Sequence, residues 1–115
     1  MGWILTLDNS TFVTMTIERN IFHLKFGMGR PAIDMWSHYL NRIREEDPSI
    51  HVRLLTDLSG RGYALIPEQE FETFADAEPS KCRLVNRPDW IGFYERFVPL
   101  CAYPERTYYR LRVSF

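Results

Sequence analysis

Between residues 26 and 31 the hydrophobic pattern changes its period, and that switch constrains the fold more than any other feature. Before it, 21–26 ("IFHLKF") alternate, with Phe22, Leu24 and Phe26 on one side and His23 and Lys25 on the other, the pattern of a half-buried strand. After Gly27 and Gly29 comes Pro31, a residue suited to the first helical position because no amide hydrogen is needed there. Ile33, Trp36, Leu40 and Ile43 then recur at three and four residues, and Met35 and Tyr39 widen the stripe. This spacing predicts a helix over 31–46, stopped by Asp47-Pro48. A chain holding both periods packs helix against sheet, since each element has an apolar side that it cannot cover alone.

The rest of the chain supplies further strands. Residues 2–7 ("GWILTL") and 11–17 ("TFVTMTI") are rich in β-branched and aromatic side chains, with Asp8-Asn9-Ser10 as turn residues between them. Glu18-Arg19-Asn20 reads as a second turn before 21–26, which makes the N-terminal third an antiparallel meander. Strands are expected at 50–55, 63–66 and 81–85, a short helix within 67–79, and a second helix from Pro88 to 98. The last segment, 107–115, alternates again as a strand. Ser59-Gly60-Arg61-Gly62 invites comparison with a phosphate-binding loop, but strand and proline follow it rather than a helix N-terminus, so a hairpin loop is the expectation. The expected fold class is α+β: residues 1–115 as a single domain, with a mainly antiparallel five- to six-stranded sheet. The long helix at about 31–46 packs on one face, and a shorter second helix accompanies it.

Composition narrows the function classes. With 45% hydrophobic residues, 25% charged and a net charge of −1, the chain is neither disordered nor strongly basic. No run approaches the roughly 18 apolar residues of a membrane-spanning helix, and "MGWILTLDNSTF" lacks the basic start of a secretory signal. Cys82 and Cys101 stand apart with no CxxC and read as reduced, which points to the cytoplasm. His23, His38 and His51 lack the HxH or HExxH spacing of metal sites. No metal and no cofactor are expected.

Charge is segregated along the chain. Between 63 and 79 stand Glu68, Glu70, Glu72, Asp76 and Glu78 with no Lys or Arg, whereas 80–115 holds seven bases against three acids. The acidic run, with Phe71 inside it, is the candidate partner-binding surface. It suits docking onto a basic surface of another protein, such as a nucleic-acid-binding groove. Tyr108, Arg110 and Arg112 on one strand face form the alternative, a nucleic-acid-binding surface where a ring stacks on bases and guanidiniums meet phosphates. A third reading is a small enzyme using Asp34 and His38, which lie at i and i+4 on the long helix. No nucleophile is placed beside that pair by spacing, so the expected role is non-enzymatic protein binding. In type the chain is similar to small bacterial or phage inhibitors and immunity proteins. An unpaired edge strand would also allow a homodimer by sheet extension.

Overall fold

The computed structural model describes the backbone of residues 4–7, 10–59 and 63–114, and the side chains of 15–59, 63–79 and 83–112. In chain order the elements are β1 (Ile4–Leu7), β2 (Ser10–Leu24), α1 (Gly29–Glu46), β3 (Arg53–Thr56), β4 (Ala64–Phe71), α2 (Ala77–Val85), α3 (Trp90–Phe97) and β5 (Cys101–Ser114). Four strands lie side by side in the order β5-β2-β4-β3, and every pairing is antiparallel. From β2 to β5 this follows the β-α-β-β-α-β succession of ferredoxin-like folds, with α2 and α3 together in the second helical place. β1 pairs with 10–13 of β2, on the edge that β4 occupies farther along, because β5 holds the other edge from Thr11 to Leu24. The sheet is thus an α+β sheet four strands wide with β1 as a short addition, not a row of five or six.

Several local expectations give way to tertiary pairing. Glu18-Arg19-Asn20 is not a turn: β2 runs through it, with Gln69 and Glu68 opposite on one edge and Tyr108, Thr107 and Arg106 on the other. Pairing on both edges outweighs the weak turn preference of these polar residues. The helix expected from 67 is strand up to Phe71, and the β2–β4 register skips Asn20 and Ile21 where Pro67, without an amide hydrogen, passes. A capping box then starts a helical turn at 74–76: the amide and Oγ1 of Thr73 donate to Asp76 Oδ2 at 3.1 and 3.0 Å. That turn leads into α2, so 81–85 is helix rather than strand, with Ala77 and Leu84 buried two turns apart. The tip of the expected hairpin, 60–62, lies outside the described residues. Phe26 is 85% exposed, because β2 ends at Leu24 and Gly27, at a φ of 78°, turns the chain toward α1.

The core lies between one face of the sheet and the helices. Phe22, Leu24 and Leu65 from β2 and β4 meet Ala32, Trp36, Tyr39 and Ile43 of α1, together with Leu84, Phe93 and Phe97. Phe97 sets its ring edge-on to Phe22 at 4.9 Å and to Trp36 at 5.5 Å, and Tyr39 stacks on Phe93 at 4.1 Å. Asp89, just before α3, ties the helices together: it accepts from Tyr39 Oη at 2.9 Å, Arg42 Nη2 at 2.8 Å and Arg87 Nε at 3.3 Å. Burial, then the hydrogen bond to Asp89, pushes the Tyr39 phenol up to about 12. Among the described residues, no helix is long and apolar enough to cross a membrane.

Phe97 is fully enclosed while its neighbour Val98 is half exposed. Phe97→Ala should therefore cost about 3–5 kcal/mol in urea unfolding, and Val98→Ala less than about 0.5 kcal/mol. Equal effects would show that this packing does not hold α3 to the sheet.

Candidate functional site

Alternation along β2 sends Thr16, Glu18, Asn20, Phe22 and Leu24 toward the helices, and Ile17, Arg19, Ile21 and His23 to the opposite face. Phe22 and Leu24 reach the aromatic core. Nearer the start of the strand the helices stand off, and a cavity of about 490 Å³ opens between the layers. Its size lies within the roughly 300–1,000 Å³ of ordinary ligand sites. Phe22, Trp36, Trp90 and Tyr94 give it aromatic walls, and Glu18, Asn20, Gln69, Glu105 and Arg106 are the polar residues that border it.

Two lining side chains are unusual. Glu18 is 4% exposed and Trp36 3%, and both Glu18 Oε2 and Trp36 Nε1 are buried with no hydrogen-bond partner. A buried polar atom left unpaired costs about 1–3 kcal/mol, and both of these belong to residues that border one cavity. The other Glu18 oxygen is engaged: Asn20 Nδ2 donates to Oε1 at 3.1 Å, and Arg106 Nε donates to Asn20 Oδ1 at 2.6 Å. Burial, together with the Glu18 carboxylate beside it, pushes the Tyr108 phenol up.

The acidic run expected as a docking ridge is divided by the fold. Glu68 and Phe71 are buried and cannot belong to an exposed ridge. Glu68 lies on the helix-free face, where Arg19 Nε donates to Oε2 at 2.6 Å and Arg53 Nη2 donates to Oε1. Arg53 also reaches Glu70 at 3.2 Å. Asp76 closes the capping box, while Glu72 and Glu78 are exposed. Strand alternation splits 68–71 between two faces, and the cations on Glu68 and Glu70 are Arg19 and Arg53, which precede the run.

Tyr108, Arg110 and Arg112 do share one face of β5, but the Tyr108 ring meets Phe74 edge-on at 4.9 Å and its hydroxyl turns to Glu18. Asp34 faces Arg30 at 3.4 Å rather than His38, and both Asp34 and His38 are exposed on α1. His23 stacks on Tyr103 and lies 2.6 Å from Glu105, on the face away from the cavity. Sequence reasoning missed Glu18, Asn20 and Arg106. The available signal was phase, since Glu18 and Asn20 keep step with Phe22 and Leu24.

No family model and no curated protein matches the chain. Solved structures do match. An uncharacterized NIPSNAP-like domain protein from Burkholderia xenovorans superposes with a TM-score of 0.73 at 17% identity, over 88% of this chain and 87% of that one. A NIPSNAP family protein of unknown function from Agrobacterium tumefaciens gives 0.72 at 17% identity, over 85% and 88%. A Nitrosomonas europaea protein provisionally named an antibiotic biosynthesis monooxygenase gives 0.61 at 8%, over 82% and 95%. At these identities the likeness is one of fold.

Burial would raise the Glu68 carboxyl, but hydrogen bonds and charge from Arg19 and Arg53 overcome it and hold the group below the usual carboxylate range. A depressed carboxyl contributes stability above its unfolded value, near 4.3, and loses it as pH falls through the folded value. Glu68→Gln should cost about 1–3 kcal/mol at pH 7 and flatten the fall in stability below about pH 4. Unfolding curves at pH 7 and pH 3 that shift by the same amount would contradict this.

Proposed function

We propose that the protein binds a small, ring-containing molecule in the cavity between sheet and helices. The observation that carries this reading is a pair of buried polar atoms without a protein partner, Glu18 Oε2 and Trp36 Nε1, on two residues that border it. One can accept a hydrogen bond and the other can donate one. A site of mostly aromatic lining with a few fixed polar groups is the usual form of a small-molecule pocket. The Nitrosomonas fold relative bears the provisional name of an antibiotic biosynthesis monooxygenase, which supports a small-molecule reading by analogy of fold alone. Binding, without turnover, is the proposed role for this chain.

Docking through 68–78 draws no support from the geometry. Glu68 and Phe71 are interior, and Glu70 and Asp76 already have partners. The nucleic-acid reading loses Tyr108 as a free stacking platform for the reasons above, although Arg110 and Arg112 stay exposed.

Trp36 and Trp90 both line the cavity, so tryptophan fluorescence reports its occupancy. In a fragment screen, ring compounds carrying one donor and one acceptor should quench that signal and raise Tm by about 4 °C or more at saturating concentration. Val85→Trp, which intrudes into the cavity from α2, should sharply weaken both effects while the protein stays folded. No hit at millimolar concentration, or hits that persist in Val85→Trp, would overturn the reading.

A further inference from the structure

Two glutamates of this sheet are almost fully buried, Glu68 at 2% exposure and Glu18 at 4%, and their surroundings differ in one respect. Glu68 is held by two guanidiniums. Among the described residues no cation pairs with Glu18, whose only donors are neutral groups. Arg106 comes nearest in the hydrogen-bond chain but stops at Asn20 Oδ1, so an amide separates it from the carboxylate. A buried carboxylate without a counter-charge is expensive, and a cation supplied from outside relieves it.

The aromatic residues that border the same cavity are of the kind that accommodates such a cation. Trp90 and Tyr94 stack at 5.3 Å, and Trp36 stands edge-on to Trp90 at 6.1 Å. Their π faces attract ammonium groups, most strongly when water is excluded. The unpartnered Trp36 Nε1 adds a second requirement, an acceptor oxygen on the ligand. We infer that the cavity takes an organic amine, bound as its ammonium ion against Glu18, with a ring between the aromatic walls and one acceptor oxygen for Trp36. This inference rests on the small-molecule reading above and names the class of ligand for that same site. Carboxylic acids of similar shape are disfavoured by repulsion from Glu18.

Three compounds of closely similar skeleton test it: tyramine, the neutral alcohol tyrosol, and 3-(4-hydroxyphenyl)propionate, titrated calorimetrically into the full chain at neutral pH. Tyramine should bind at least about tenfold more tightly than tyrosol, with the acid weakest. In Glu18→Gln the tyramine advantage should vanish while tyrosol binding stays within about threefold. Tyrosol or the acid binding as tightly as tyramine would overturn the amine inference and leave the pocket reading standing. So would fragment hits in the cavity alongside no binding by any of the three. An undiminished tyramine preference in Glu18→Gln would remove Glu18 as the counter-charge. No binding here and no fragment hits would bring down the pocket reading itself. The wild-type comparison decides the matter even if the variant fails to fold.

Discussion

Everything in the molecule is registered on β2, a strand of 15 residues paired on both edges. A strand so held has no freedom to turn a polar residue outward, because a one-residue slip would reverse every side chain along it. Phe22 and Leu24 must face the helices to build the core with Trp36 and Phe97. Glu18 and Asn20, in the same phase, are therefore committed to the same side. The burial of Glu18 follows from the burial of Phe22.

What differs along β2 is how far the helices follow it. Toward its C-terminal end, α1 and α3 close over the sheet in an aromatic cluster of Trp36, Tyr39, Phe93 and Phe97. Asp89 anchors the two helices there through Tyr39 and Arg42. Farther back the layers part and leave the cavity, bordered by Leu84 and Val85 of α2. The opposite face resolves its charges within the sheet, with Arg19 and Arg53 on Glu68 and Glu105 beside His23. The two faces treat buried acid in opposite ways: one neutralises it, and the other leaves an oxygen unsatisfied at a concave surface. Proteins keep such local costs where function requires them.

The secure parts of the sequence reading were those carried by many residues in step. The stripe from Ile33 to Ile43 marks α1 at 29–46, and alternation in 107–115 marks the later part of β5. Errors arose where short stretches were judged by residue type. Glu18-Arg19-Asn20 has the composition of a turn, yet its backbone is held by strands remote in sequence. The helix expected within 67–79 was to begin at Pro67, yet Pro67 sits inside β4, where the ladder to β2 lapses. The acidic run looked like one surface because charge was counted along the chain, whereas a strand deals successive residues to opposite faces. The cavity could not be read from sequence, since it depends on where three helices stop covering one sheet.

The central claim is that Glu18 is kept for a ligand rather than for the fold. Urea unfolding of the ligand-free protein tests it directly, comparing the native chain with Glu18→Gln, which preserves an acceptor for Asn20 while removing the charge. The account predicts a variant as stable as the native chain within about 0.5 kcal/mol, or more stable, since a charge without a counter-ion leaves the interior. A loss of more than about 2 kcal/mol would show that the carboxylate holds the sheet together, and would contradict it.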